Sequence, residues 1–267
     1  MRYFFHIGYN GFNYRGWQKM PKVNSVQFII ESLLSQIFKE KLTIVGCGRT
    51  DAQVHASQFF FHVDIEHTWD YDLVFRLNKN LPPDIAVFDI IPMRGLQHAR
   101  FDAISRTYTY FIHTRKDPFL STISSLYLDK KLNLDEMSKA VVLLPNHNDY
   151  YSFCKNVSAH RTTICNVTSA ALYTNETGDN IKFEISANRF LRGMIRILVH
   201  KLLMVGEGEL TVDEFENLFN QKETPNNMKF AYPQGLYLSQ VKYPFLELPL
   251  RSEFFKAFSD QSRWVEV

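Results

Sequence analysis

The chain places a carboxylate beside a guanidinium on a short turn, and this pair is its first candidate for chemistry. The turn is the nonapeptide Gly48-Arg49-Thr50-Asp51-Ala52-Gln53-Val54-His55-Ala56. A carboxylate held between rigid elements can act as a nucleophile, and an adjacent cation favours its ionised form. The spacing also allows another interpretation, in which Asp51 hydrogen-bonds within its own turn and Arg49 is a solvated neighbour.

A metal site is the alternative chemistry for this turn, because His55 follows Asp51 closely. A lone histidine at the start of a strand is more often structural, and no further ligands occur at a suitable spacing. The three cysteines, Cys47, Cys154 and Cys165, form no C-x-x-C pair. The sequence therefore predicts no metal, no cofactor and no disulfide framework.

The elements that must hold the turn follow the order strand, helix, strand, strand, helix, strand. Strands are predicted at 3–9, 42–47, 54–65 and 85–91, and helices at 25–38 and 71–80. This is the order of the ferredoxin-like βαββαβ unit, with the Asp51 turn between its second and third strands.

The rest of the chain repeats that order with longer insertions. Strands are predicted at 106–114, 163–173, 181–187 and 236–242, and helices at 134–144, 189–205 and 212–220. We expect an α+β fold of two ferredoxin-like (RRM-like) halves whose mainly antiparallel sheets join around a central cleft. The expected domains are residues 1–103 and 104–245, with a C-terminal extension at 246–267.

The composition suits a chain that is neither exported nor inserted in a membrane. The 267 residues carry a net charge of +2, and no apolar run approaches the ~18 residues that span a bilayer. We expect a cytoplasmic protein without membrane contact. Two basic clusters interleave with aromatic side chains, a combination that suits RNA: Arg94, Arg100, Arg106, Arg115 and Lys116, then Arg189, Arg192, Arg196 and Lys201.

Arg196 is predicted to be the cationic partner of a carboxylate. The predicted helix around it is apolar on nearly every side, so it should be buried, and a charge on a buried helix needs a partner. The residues alone allow a structural ion pair with any nearby carboxylate. Lys155 and Arg161, on the long predicted loop at 145–161, are weaker candidates for phosphate contacts.

The nonapeptide resembles the active-site motif of the TruA family of tRNA pseudouridine synthases, and Asp51 falls on the family's nucleophilic aspartate. Five further segments match in the same order: Tyr9-Asn10-Gly11-Phe12-Asn13-Tyr14-Arg15-Gly16-Trp17-Gln18, Ser25-Val26-Gln27, His98-Ala99-Arg100-Phe101, Arg106-Thr107-Tyr108-Thr109-Tyr110 and Gly235-Leu236-Tyr237-Leu238. The resemblance implies a cofactor-free isomerase that converts uridine to pseudouridine in the anticodon stem-loop of tRNA, at positions 38 to 40. It also implies a homodimer.

The resemblance also assigns roles to individual residues. It pairs Arg196 with Asp51, stacks Tyr108 under the target base and closes the pocket with Leu236. Flipping the target base out of the stack costs a few kcal/mol. Arg49 would fill the space that the base leaves and so offset this cost. The segment with His98, Arg100 and Phe101 would contact RNA.

Two departures from the family pattern stand out. Gln53 and His200 replace residues that are usually glycine, so the turn after Asp51 is either ordinary or strained. Two other functions remain as alternatives: an RRM-like module that binds RNA without catalysis, and a diverged pseudouridine synthase with another RNA target. A metal-assisted hydrolase using Asp51 and His55 is a third.

Overall fold

The computed structural model describes residues 1–128, 130–223, 228–260 and 263–267. Their strands are β1 (Arg2–Tyr9), β2 (Val45–Gly46), β3 (His55–Asp64), β4 (Ile85–Pro92), β5 (Ser105–His113), β6 (Ser125–Leu126), β7 (Val167–Thr174), β8 (Asn180–Ala187), β9 (Leu236–Lys242) and β10 (Val265–Glu266). Their α-helices are α1 (Val26–Phe38), α2 (Leu73–Asn80), α3 (Leu134–Leu143), α4 (Met194–Gly206), α5 (Val212–Gln221) and α6 (Glu253–Ser259). The strands pair mostly antiparallel, which confirms the predicted α+β class.

The chain divides into two compact units. Unit 1 comprises Met1–Ile104 and Tyr237–Phe258, and unit 2 comprises Ser105–Leu236 and Ser259–Val267. The predicted domains were continuous, whereas most of β9 and the start of the C-terminal extension belong to unit 1. The physical reason is that β9 pairs in parallel with β3, with His55 opposite Tyr237.

The sheet of unit 1 has the strand order β4-β1-β3-β9, and β2 pairs with the other end of β3. β1 lies antiparallel to both β3 and β4. β3 is buried over nine of its ten residues, because it lies inside the sheet and both of its faces are covered. The predicted strand at 42–47 is wrong in length, since only Val45 and Gly46 pair with β3.

The sheet of unit 2 has the order β10-β7-β8-β5, with β6 parallel to β5. α3 packs on α4, on α5 and on β7. The apolar contacts come from side chains at helical spacing, including Met137 and Val141 of α3 and Leu198 and Leu202 of α4, all of which are buried. Burial of such side chains contributes about 1.5–3 kcal/mol each.

The predicted helix at 189–205 begins five residues later than expected. α4 starts at Met194 because Gly193 adopts a left-handed φ of 76°. A Cβ on Gly193 would lie 2.8 Å from the ring of Phe230, so only glycine allows this close approach. The predicted helix start was wrong because this constraint comes from a distant segment.

The C-terminal extension packs on the body of the chain in both units. In unit 1, the Phe255 ring of α6 is buried 5.5 Å from the ring of Tyr237. In unit 2, β10 extends the sheet beside β7, and Lys182 lies between the rings of Tyr173, at 4.2 Å, and Trp264, at 5.2 Å. Within the described ranges, no helix combines the length and apolarity that crossing a membrane requires.

Candidate active site

The Asp51 turn is fixed by the loop that follows β1. The amide of Trp17 donates to the carbonyl of Thr50 at 3.2 Å, and the amide of Gln53 donates to the carbonyl of Tyr14 at 3.0 Å. The hydroxyls of Tyr9 and Thr50 lie 2.9 Å apart and are buried. The two backbone bonds join the loops on either side of Asp51, and the hydroxyl contact ties Thr50 to the end of β1.

Two glycines allow this close approach of the loops. A Cβ on Gly11 would lie 1.9 Å from the carbonyl oxygen of Val54, and a Cβ on Gly16 would lie 2.4 Å from that of Thr50. Gly16 also has a left-handed φ of 91°. The glycines of the 9–18 segment therefore belong to the site, although neither has a side chain to contribute.

The side chains of the turn have different exposures. Asp51 is half-buried and Arg49 is exposed. The turn thus combines a carboxylate in a partly desolvated position with a guanidinium that is open to solvent.

His55 is a structural residue of this turn. Its ring is buried, accepts a hydrogen bond at Nδ1 from the amide of Gly11 at 2.9 Å, and stacks on Tyr237 with ring centroids 4.5 Å apart. The described part of the chain contains no group of three histidine, cysteine or acidic residues that could hold a metal ion. The geometry gives the metal-site alternative no support.

Gln53 has the strained conformation, not the ordinary one. Its φ is 64°, in the left-handed region that glycine adopts with little cost. Its amide is bonded to Tyr14, and the following amide of Val54 donates to the carbonyl of Asp51 at 3.2 Å. The bonded neighbours hold the residue in this conformation.

Unit 2 contains the other predicted pocket residues. Tyr108 on β5 is half-buried and meets Phe190 edge to face, with ring centroids 5.1 Å apart. Arg196 on α4 is half-buried, and its Nε donates to the carbonyl of Ala231 at 2.8 Å. Leu236 opens β9 and is 5% exposed.

Phe230 contacts two predicted site residues, and the sequence analysis did not single it out. The Arg196 guanidinium carbon lies 5.4 Å from the centroid of its ring, and Nζ of Lys155 lies 5.2 Å from the same centroid. A cation over an aromatic face is stabilised by about 0.5–2 kcal/mol. The ring therefore positions two cations on one aromatic residue. The glycine at position 193, which makes room for the Phe230 ring, is the feature of the sequence that could have pointed to this contact.

The loop that carries Lys155 and Arg161 contains short 3-10 turns at Tyr151–Phe153 and Val157–Ala159. The backbone amide of Lys155 donates to the carbonyl of Arg192 at 2.9 Å, which ties the loop to the segment before α4. Both basic side chains are exposed. They are available to an anionic ligand.

The 98–101 segment of unit 1 is an exposed turn that is organised by His98. Its Nδ1 accepts hydrogen bonds from the amides of Arg100, at 3.1 Å, and Phe101, at 3.2 Å. Phe101 is 74% exposed and stacks on the His98 ring at 4.3 Å, and Arg100 is also exposed. His98 thus positions the other two residues, because Nδ1 is already used within the turn.

His62 anchors this turn to β3. Its Nδ1 accepts from the amide of Ala99 at 3.1 Å, and the hydroxyl of Tyr243 donates to the carbonyl of Ala99 at 2.6 Å. Burial, followed by the charges of Arg2 and His98, lowers the pKa of His62 from 6.5 to about 4. His62 is therefore neutral at neutral pH, as an acceptor must be.

We expect the substitution Gln53→Gly to stabilise the protein. A side chain at left-handed φ destabilises the folded state by roughly 1–2 kcal/mol, and glycine removes this strain. Glycine also gives the unfolded chain more conformational entropy, which lowers the stability by roughly 0.4–1 kcal/mol. The net gain should be on the order of 0.5–1 kcal/mol, measured as the free energy of unfolding in urea. Gln53→Ala is the control, since it keeps the Cβ. Equal stability of Gln53→Gly and Gln53→Ala would contradict the assignment of strain.

We expect His62→Asn to flatten the acid side of the stability profile. The folded-state pKa of His62 lies below its unfolded value, so its stabilising contribution is complete above about pH 6.5 and decreases as the pH falls towards about 4. The Asn carbonyl can replace Nδ1 as the acceptor but takes up no proton. Urea unfolding across this range measures the effect, and the remaining histidines titrate in both proteins. Parallel profiles would exclude His62 as the responsible group.

Comparison with known proteins identifies the family. A family model described as tRNA pseudouridine synthase matches residues 140–244. The tRNA pseudouridine synthase A of Parabacteroides distasonis is 42% identical over 247 residues, covering 91% of this chain and 96% of that protein. The protein of the same name from Porphyromonas gingivalis is 38% identical, over 91% of this chain and 97% of that protein. The one from Nitrosococcus oceani is 34% identical, over 91% of this chain and 94% of that protein. The chain therefore belongs to the tRNA pseudouridine synthase A family.

Proposed function

We propose that this protein is an isomerase that converts uridine to pseudouridine in tRNA, with Asp51 as its nucleophile. Its relatives are named tRNA pseudouridine synthase A and match over 91% of the chain. The observation that supports the assignment of Asp51 is the geometry of its turn, whose backbone is hydrogen-bonded to the loop after β1 on both sides of the carboxylate. A group held in this way is preorganised for attack on a bound substrate.

The reaction is an internal rearrangement that needs no oxidant and no transferred group. The bond between ribose C1′ and N1 breaks, the base turns, and C1′ joins C5. The C5 proton is lost and N1 gains a proton, so the atoms balance. A carboxylate can assist by adding to the base, by attacking C1′ or by removing a ribose proton. Asp51 would be the nucleophile in the first two routes and a base in the third.

Three residues of unit 2 have proposed roles in substrate binding. Tyr108, supported edge-on by Phe190, offers a ring on which a uracil can stack. Arg196, whose Nε donates to the carbonyl of Ala231, supplies a cation for substrate binding. Leu236 provides an apolar wall.

Exposed basic and aromatic residues are proposed to hold the RNA outside the pocket. Arg49 would enter the space that the flipped base leaves, which offsets the cost of unstacking. Arg100, Lys155 and Arg161 are exposed and suit phosphate contacts, and the Phe101 ring suits stacking. His98 contributes by ordering its turn.

The decisive experiment measures tritium release from tRNA labelled at uridine C5. We expect wild-type protein to release the label with or without EDTA, and Asp51→Asn to be slower by on the order of 10³-fold or more, because a carboxamide is a poor nucleophile. Asp70→Asn is the matched control, since Asp70 is an exposed carboxylate of the same unit.

Each unexpected result of this assay has a distinct meaning. A wild-type protein that binds tRNA without releasing label would support the RNA-binding alternative, and sensitivity to EDTA would revive the metal alternative. Retained activity in Asp51→Asn would exclude Asp51. Mapping pseudouridines in the product tests the proposed target, positions 38 to 40 of the anticodon stem-loop, against another RNA site.

We also propose a cytoplasmic homodimer, following the family resemblance. Closed two-fold dimers are the most common assemblies of soluble proteins. We expect sedimentation equilibrium to give twice the chain mass of 31.3 kDa at micromolar concentration. A single species at the chain mass would contradict this proposal without affecting the chemistry.

A further inference from the structure

A cluster of hydroxyl groups holds the backbone of Tyr232 in unit 2. Tyr110, two residues beyond Tyr108 on the same face of β5, is fully buried, and its hydroxyl donates to the carbonyl of Tyr232 at 2.6 Å. The hydroxyl of Ser125 lies 2.9 Å from that of Tyr110 and 3.3 Å from the same carbonyl. The amide of Tyr232 donates to the hydroxyl of Tyr127 at 3.2 Å. Both backbone polar groups of Tyr232 are thus bound by side-chain hydroxyls.

The residues before Tyr232 are bound to α4. The amide of Ala231 donates to the backbone carbonyl of Arg196 at 2.9 Å, and the carbonyl of Ala231 accepts from the Arg196 side chain at 2.8 Å. Phe230 lies against the same guanidinium. The position of the Arg196 head group therefore depends on the backbone at 230–232.

The residues after Tyr232 lead directly to Leu236. A Cβ on Gly235 would lie 2.4 Å from the carbonyl oxygen of Phe111 and 2.7 Å from Oγ of Ser125. This contact places the backbone against β5 just before Leu236 begins β9. Tyr232 is thus close in sequence to both the acceptor of Arg196 and the proposed apolar wall of the pocket.

Packing of the Tyr110 ring does not explain why this residue carries a hydroxyl. A phenylalanine would fill the same apolar volume, so packing alone does not require the oxygen. Burial raises the pKa of Tyr110 well above its usual value, and the hydroxyl therefore stays protonated as a donor.

We propose that Tyr110 is a positioning residue for the isomerisation, whose hydroxyl fixes the 230–236 segment and thereby the Arg196 guanidinium and the Leu236 side chain. The inference rests on the proposed roles of those two residues. Tyr110 itself need not touch the RNA. Removing its hydroxyl should slow the chemical step more than it weakens tRNA binding.

Tyr110→Phe is tested against Tyr150→Phe. Tyr150 is an equally buried tyrosine of the same unit whose hydroxyl donates to the carbonyl of Leu144 at 2.6 Å, away from the 230–236 segment. Tyr110→Phe loses the contacts with the Tyr232 carbonyl and the Ser125 hydroxyl, whereas Tyr150→Phe loses its bond to Leu144, so we expect Tm to decrease in both variants and more in Tyr110→Phe. We expect kcat for tritium release to fall about tenfold in Tyr110→Phe with KM for tRNA within about twofold, and both constants to stay near wild type in Tyr150→Phe.

The assay includes wild type and Asp51→Asn, and all proteins are compared well below their Tm. Equal kcat values for Tyr110→Phe and Tyr150→Phe, or a loss confined to KM, would overturn the inference while leaving the proposed function intact. Failure of the proposed function itself would appear as an inactive wild type or an active Asp51→Asn. Should Tyr110→Phe not fold, Tyr127→Phe tests the same segment, because it removes the acceptor for the Tyr232 amide.

Discussion

The organisation of unit 1 depends on strand β3, which is buried along nearly its whole length yet carries polar side chains. A buried polar group that lacks a partner costs about 1–3 kcal/mol, and three of these side chains accept backbone amides from neighbouring segments. His55 accepts from Gly11, Gln58 accepts from Val241 at 2.9 Å, and His62 accepts from Ala99. One strand therefore fixes three segments: the loop that holds the Asp51 turn, the β9 strand and the proposed RNA-contacting turn.

Unit 2 uses the same principle with hydroxyls and a guanidinium. Tyr110 and Ser125 project from adjacent strands and bind one carbonyl, and Arg196 binds the carbonyl next to it along the chain. A hydrogen bond to a main-chain carbonyl specifies position more narrowly than apolar packing does, because it depends on direction as well as distance. Segments without regular secondary structure thereby acquire the rigidity that a preorganised pocket requires.

The sequence predicted the elements well where the pattern is local. The strand at 236–242 has the observed bounds, and the helix at 134–144 is one residue too long, because hydrophobic periodicity reports directly on burial. The prediction of element bounds failed where contacts with distant residues determine them. The helix predicted from residue 189 starts only after Gly193, which has a left-handed conformation against Phe230. Phe230 lies 37 residues later in the sequence, so no local pattern shows this contact. The candidate site divides in the same way. Asp51 was singled out by the resemblance of its local motif, whereas Phe230 and the partners of Tyr110 become visible only in the folded chain.

Gln53 shows how tightly the Asp51 turn is determined. A side chain at left-handed φ would relax if the backbone could rotate, but the amide of Gln53 is bonded to Tyr14 and the amide of Val54 to Asp51. Rotation would break these bonds, each worth about 0.5–1.5 kcal/mol, and would move Thr50 away from the close contact that Gly16 permits. The strain persists because the surrounding contacts outweigh it. The same contacts fix the carboxylate two residues earlier, so the geometry that tolerates glutamine here is also the geometry that presents Asp51.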